Sequence, residues 1–167
     1  LFRSVSFVQG GPQLPASITV DSLGSWTDFV GDEYKAFSGT AVYTTTINKV
    51  PVADVIKLDL GSVAENASVY LNGDYIGTVI DSPYQLYIPA EKFKGQDELV
   101  VRVANSMANR IAYMDKKGVD WKIFYNVNMS ARKKENVKNG IFDASDWEPK
   151  SSGLLGPVTL TPAMVKQ

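Results

Sequence analysis

The chain has 167 residues, of which 44% are hydrophobic and 21% charged, and its formal charge is −1. This is the composition of an ordinary folded domain, and its near neutrality argues against a polyanionic partner such as a nucleic acid. Cysteine and histidine are both absent, which excludes disulfides, thiol nucleophiles, Cys/His zinc sites and Ser-His-Asp hydrolysis.

Along the chain, apolar residues alternate with polar ones in many short segments separated by turn signals. The segments are SVSFV, SITV, TAVYTTTI, DVIKLDL, ASVYL, YIGTVI, YQLYIP, ELVVRVAN and GPVTLTP. Asn72-Gly73 between two of them is the pair favoured in a type I′ hairpin. About eight to ten such strands predict an all-β fold, an antiparallel β-sandwich or barrel. We expect one domain over 1–167, with its core in 38–104 and the C-terminal strand.

Residues 105–150 form an excursion of different character. The segment SMANRIAYM within it is the one candidate helix of the chain. Two of the three tryptophans lie in the excursion. The stretch from Arg110 to Lys138 contains eight Lys/Arg and three Asp/Glu. A long excursion between sandwich strands that carries aromatic and polar residues is where function is often found. Since the basic run 131–138 has no aromatic residues among its charges, we predict a solvated loop there and no nucleic-acid partner.

The stretch DWKIFYNVNM, residues 120–129, permits two interpretations. Trp121, Ile123, Tyr125, Val127 and Met129 share one parity, which is the pattern of a half-buried strand with Trp121 and Tyr125 in the core. In the functional interpretation, Trp121 or Tyr125 lies at the rim of a cleft, with an apolar face and a polar handle for a sugar. Lys122, Phe124, Asn126 and Asn128 form the opposite face of such a strand.

Two further tryptophans lie in turn-rich contexts. Trp147, in DASDWEP, is either a lid over a sheet edge or an exposed platform for a sugar ring. For Trp26, in LGSWTDF, packing is the favoured interpretation.

Carboxylates occur in two groups, Asp32/Glu33 and Asp143/Asp146/Glu148. Two carboxylates suffice for glycoside hydrolysis, but nothing in the sequence places a pair across a cleft. We therefore predict no catalytic residue in this chain. No cofactor is expected, with calcium held by Asp-rich turns as the alternative. No apolar run approaches the roughly 20 residues that span a bilayer, so no membrane partner is expected.

The stretch VYLNGDYIGTVIDSPYQLYIPAEKFKGQDELVVRVAN resembles the jelly-roll, galactose-binding-like domains attached to glycoside hydrolases, including the sugar-binding domain of family 2. It carries Leu-Asn-Gly at 71–73, Gly77 and the turn at Gly95. The flanks SWTDF, FSGTAVYTTTI, NRIAYMDKKGVDWKIFYNVNM, GIFDASDWEP and SGLLGPVTLTP resemble the C-terminal region of large bacterial α-L-rhamnosidase-type hydrolases, family 106 and its relatives.

This resemblance implies a bacterial β-sandwich domain that follows a catalytic barrel in an exported, extracellular or periplasmic polysaccharide-degrading enzyme. The first residue is Leu1 and not Met, so we expect a fragment of a longer protein. Its expected partners are carbohydrate and the catalytic domain of the same chain. The expected sugar-binding residues are Trp121, Tyr125 and Trp147 for stacking, and Arg110, Asn126 and Asn128 for hydroxyls. The alternative is a structural module that packs on the barrel and binds no sugar.

Overall fold

A computed structural model describes residues 4–123 and 133–163 of the chain. Within these ranges the chain forms thirteen strands and two α-helices. The strands are β1 Ser4–Gly11, β2 Ile18–Thr19, β3 Ser38–Ile47, β4 Val55–Asp59, β5 Ser62–Ala64, β6 Asn66–Leu71, β7 Asp74–Val79, β8 Gln85–Pro89, β9 Asp97–Ala104, β10 Val137–Lys138, β11 Ile141–Phe142, β12 Gly153–Gly156 and β13 Thr159–Ala163. The helices are α1 Asp32–Ala36 and α2 Ala108–Lys116.

The strands pair into antiparallel sheets. One sheet has six strands in the order β2-β1-β3-β9-β6-β7, and a second has three in the order β13-β4-β8. Two short ribbons, β12-β5 and β10-β11, accompany them. All of the strand pairs described are antiparallel. The prediction of an all-β antiparallel sandwich is confirmed.

The core lies between the inner faces of the two main sheets, because alternate side chains of each strand point inward. In β9 the inward set is Leu99, Val101 and Val103, all buried, while the outward Glu98 and Arg102 are exposed. Leu58 of β4 and Ile88 of β8 belong to the same cluster from the opposite sheet. Burial of these side chains is the main stabilising contribution to the sandwich.

The N-terminal segment also belongs to the core, although the predicted core lay in 38–104 and the C-terminal strand. β1 pairs with β3 along its length, and Phe7 packs edge to face on Trp26 and Phe37, with ring centroids 5.6 and 5.0 Å apart. Trp26 is fully buried, which confirms the packing interpretation of this residue. Periodicity within one segment cannot reveal this cluster, since its rings come from three segments.

Several local predictions are confirmed. Asn72 and Gly73 have positive φ values of 54° and 87°, as a type I′ turn between β6 and β7 requires. The candidate helix SMANRIAYM corresponds to α2. The single-turn helix α1 was not predicted, because five residues give no helical period to detect. No helix in the described ranges has the length and apolar character to cross a membrane.

Candidate functional site

A cleft of about 500 Å³ opens between the two helices and the segment 145–149. This volume is within the range that holds small-molecule ligands. The residues that line it are Asp32, Lys35, Ala36, Asn109, Ala112, Tyr113, Lys116, Lys117, Ser145, Asp146, Trp147, Glu148 and Pro149. On α2, residues 109, 112, 113 and 116 share one helical face, so the spacing of the helix itself presents them together.

Trp147 forms one wall of this cleft and is half-buried. Its Nε1 donates a hydrogen bond to Asn136 Oδ1 at 2.8 Å, and its ring packs edge to face on Phe142 with the centroids 5.7 Å apart. Asn136 is itself buried. The hydrogen bond and the ring contact therefore fix the indole. Little of its conformational entropy remains to be lost when a ligand stacks on the ring.

Asn109 lines the cleft and fixes the segment that directly follows 145–149. Its Nδ2 donates to Lys150 O at 2.9 Å and to Ser152 Oγ at 3.2 Å, and its Oδ1 accepts from Lys150 N at 2.8 Å. Because the Asn109 side chain is buried and its amide is already bonded on both sides, it positions the backbone and is not free for a ligand.

Asp115 holds the excursion to α2. Its carboxylate, 1% exposed, accepts hydrogen bonds from Trp121 Nε1 at 2.7 Å and from Ala144 N at 2.8 Å, and lies 2.6 Å from Lys122 Nζ. Trp121 also packs, as Ile111 and Trp147 do, against a second small hydrophobic cluster that is formed by the buried Phe142 and Ala144. One buried carboxylate thus joins three segments of the excursion.

Lys138 organises the outer rim of the cleft. Its ammonium lies 3.1 Å from Asp146 Oδ2 and 3.4 Å from Asp143 Oδ1. Hydrogen bonding to Asp146 raises the pKa of Lys138, with Asp143 contributing in the same direction. The hydrogen bond from the Ser145 hydroxyl, assisted by the Ser145 amide and by Lys138, holds the pKa of Asp143 below its ordinary value despite partial desolvation.

The predicted sugar-binding residues do not all meet at this cleft. Trp147 lines it, whereas Trp121 packs in the small cluster behind it and its indole donor is already bonded to Asp115. Arg110 is absent from the lining; its guanidinium lies over Gly11, where a Cβ would be 2.7 Å from Nη1. Tyr125, Asn126 and Asn128 lie outside the described residues.

The strand interpretation of 120–129 is wrong over the part that the structure describes. Residues 120–123 are not in a strand, and Ile123 is 83% exposed although its parity placed it on the buried face. Instead of a neighbouring strand, the Asp115 carboxylate on α2 binds the side chains of Trp121 and Lys122. Residues 124–129 lie outside the described ranges.

Several lining residues were not predicted as binding residues. Tyr113 and Lys35 gave no motif, and Asp32, Asp146 and Glu148 were noted only as candidate catalytic carboxylates, although all three line the cleft. The exposed rings outside the cleft were also missed: Tyr75 packs on Tyr70 with centroids 5.5 Å apart, and Tyr87 lies on β8. In residues 4–123 and 133–163, no group of three or more acidic side chains could hold a metal ion.

Comparison with known proteins relates the chain to carbohydrate-active enzymes. No protein-family model matches it. It is 34% identical over 158 residues to a putative β-glucuronidase from Formosa agariphila, an alignment that covers 86% of this chain and 14% of the relative. It is also similar to the rhamnosidase from Novosphingobium sp. PP1Y, with a TM-score of 0.75 and 30% identity over 95% of this chain and 14% of that one. The homologues are glycoside hydrolases.

A weaker likeness concerns the fold alone. A family 2 β-galacturonidase from Eisenbergiella tayi matches 63% of this chain with a TM-score of 0.50 and 18% identity, and the match covers 18% of that chain. In each of these comparisons this chain spans less than one fifth of the length of the protein it matches.

Proposed function

We propose that this chain is a non-catalytic accessory domain of a longer, polysaccharide-degrading glycoside hydrolase, and that the cleft between α1, α2 and 145–149 binds carbohydrate. In this proposal the 167 residues form one galactose-binding-like, jelly-roll domain that partners a catalytic domain in the same chain. The parent enzyme acts outside the cytoplasm, in the periplasm or medium. The similarity to two glycoside hydrolases over most of this chain supports the parent enzyme.

The observation that carries the sugar site is the fixed Trp147 ring beside a set of polar side chains. An indole held by Asn136 and Phe142 offers a rigid apolar face to the C–H side of a sugar ring. Asp32, Tyr113 and Glu148 line the same cleft, and carboxylates and a phenol hydroxyl are groups that suit sugar hydroxyls. An aromatic face with convergent polar groups is the usual composition of a saccharide site.

Calorimetric titration of the chain with oligosaccharides that contain rhamnose, galactose or uronic acid tests this proposal. We expect at least one class of oligosaccharide to bind to the chain, and we expect Trp147→Ala to abolish that binding. Trp147 also packs in the small cluster, so its replacement can lower stability as well as binding. Glu148→Gln therefore serves as a second variant. Glu148 lines the cleft and is exposed, and its side chain has no hydrogen bond or ion pair with the described residues. This variant should weaken binding without changing stability. Tyr87→Ala, on β8 outside the cleft, is the control.

Two results would overturn the proposal. The first is no heat of binding across the panel. The second is cleavage of any of these oligosaccharides by the purified chain that Glu148→Gln or Asp32→Asn abolishes, since the cleft carboxylates would then be catalytic.

A structural module that packs on the catalytic domain is the second candidate. It is favoured by exposed aliphatic side chains in three separate loops: Val30 and Val52, which are almost completely exposed, and Ile80, which is 78% exposed. Removing such side chains from water, as when another domain covers them, is favourable in free energy. Val30→Ser and Val52→Ser would then weaken the association of this chain with a separately expressed catalytic domain and leave saccharide titrations unchanged.

A further inference from the structure

We propose that the cleft selects anionic carbohydrate, a saccharide that carries a uronic acid carboxylate, through Lys35, Lys116 and Lys117. This inference rests on the proposed function, because it names the substrate class of the same site. All three lysines line the cleft and are exposed. Lys117 Nζ lies over the Tyr113 ring, 5.7 Å from its centroid, and Tyr113 lines the same cleft.

The lysines are not neutralised by the carboxylates that share the cleft. Among residues 4–123 and 133–163, the ion pairs within 4.0 Å are those of Lys122 with Asp115 and of Lys138 with Asp143 and Asp146. Lys35, Lys116 and Lys117 take part in none of them. Their charges therefore stay available to an anion that enters the cleft.

The carboxylates of the cleft differ in their surroundings. Asp146 is paired with Lys138 at the outer rim, so its charge is partly offset. Asp32 and Glu148 have no cation within 4.0 Å in the described part of the chain. Three free ammonium groups beside two free carboxylates suit a ligand with one carboxylate among several hydroxyls, because the carboxylates accept from hydroxyls while the lysines bind the anion. A uronic acid residue has this combination.

Helix electrostatics offers a simpler account of the same lysines. Lys35 lies in the last turn of α1, Lys116 in the last turn of α2, and Lys117 directly follows it. Positive charge at these ends stabilises a helix by a few tenths of a kcal/mol up to about 1 kcal/mol. That role predicts a change in stability when the lysines are removed, but no preference between two ligands that differ only in charge.

The test compares binding of a glucuronic or galacturonic acid oligosaccharide with binding of the same compound after reduction of its carboxyl groups. The two probes share linkage and ring shape, so their difference isolates the charge. At low salt we expect the acidic probe to bind about tenfold more tightly, as three partly exposed ion pairs would provide. The preference should shrink when salt is raised, because exposed charges are screened.

The triple variant Lys35→Gln, Lys116→Gln, Lys117→Gln should bind the acidic probe no better than the reduced probe, and should bind the reduced probe as the unmodified chain does. The triple variant Lys49→Gln, Lys92→Gln, Lys134→Gln, at three exposed lysines outside the cleft, is the charge-matched control and should keep the preference. Equal binding of the two probes by the unmodified chain would overturn this inference and leave the saccharide site standing. Absence of binding by both probes would overturn this inference, and the saccharide site would fall with it only if the rhamnose and galactose oligosaccharides also failed to bind.

Discussion

Trp147 Nε1 donates a hydrogen bond to Asn136 Oδ1 at 2.8 Å, and this bond joins the wall of the cleft to the end of the basic run. Asn136 is buried, and its backbone oxygen accepts from Asp143 N at 2.8 Å. This backbone bond lies at the end of the strand pair β10-β11, so the residue that fixes the ring is itself held by the pair that follows it. The orientation of Trp147 depends on a contact eleven residues away in sequence.

The first prediction concerns this pair. Trp147→Phe keeps an aromatic ring but removes the donor, and the buried Asn136 oxygen loses this donor, so we expect a loss of about 1 to 2 kcal/mol in unfolding free energy. Urea denaturation of the two single variants, Trp147→Phe and Asn136→Ala, and of the double variant gives the coupling energy. Strictly additive effects would mean that the bond contributes nothing.

The second prediction concerns Asp115. In Asp115→Ala, Lys122 loses its carboxylate, and Trp121 Nε1 and Ala144 N lose their acceptor. Breaking a buried ion pair in this way costs about 3 kcal/mol or more. Thermal or urea unfolding of the variant and the unmodified chain measures this loss of stability. Asp120→Ala, an exposed carboxylate five residues further along, is the matched control and should change stability by less than about 0.5 kcal/mol.

The third prediction is a dependence of stability on alkaline pH. Burial raises the pKa of Tyr43 from 10.0 to about 12, partly opposed by the hydrogen bond from the Leu154 amide. Between these values the unfolded chain releases the phenol proton while the folded chain keeps it, so stability falls as pH rises. Over the whole interval the loss from this group approaches roughly 2 kcal/mol.

Urea midpoints measured at several pH values from 8 to about 12 test this dependence, with Tyr43→Phe as the comparison. The variant is less stable at pH 8, because the Leu154 amide loses its acceptor. It should lose less stability than the unmodified chain as the pH rises. Identical slopes in the two proteins would contradict the assignment.

The fourth prediction concerns Arg110, a predicted sugar ligand that the structure places against Gly11. Its Nε is buried without a hydrogen-bond partner among the described residues, and none of the carboxylates described there lies within 4.0 Å. Since an unpaired buried polar atom is unfavourable, we expect Arg110→Met to leave stability unchanged or raise it. Arg110→Ala should lower it, because the packing of the side-chain stem is lost. A loss in Arg110→Met as large as in Arg110→Ala would show that the charge itself is required.

The sandwich could be predicted from the sequence because each strand carries its own signal. The alternation in β9 and the Asn72-Gly73 turn depend on residues adjacent in the chain. The cleft carries no such local signal, since 32–36, 109–117 and 145–149 meet only in the fold. Trp121 illustrates the difference: its parity indicated a strand, but a hydrogen bond to Asp115 on the neighbouring helix decides its position. Trp147 could be predicted as a candidate binding residue from its turn-rich context, whereas Tyr113 could not.

The most direct test of a saccharide site in the cleft uses the three tryptophans as internal reporters in a ¹⁵N-correlated NMR titration. Indole N–H signals, assigned with single Trp→Phe variants, are followed as a uronic acid oligosaccharide is added. We expect a progressive shift of the Trp147 signal, a smaller one for Trp121, which packs on the same small cluster, and none for Trp26, which is fully buried in the main core. Binding detected by calorimetry with the Trp147 signal unmoved would contradict this expectation.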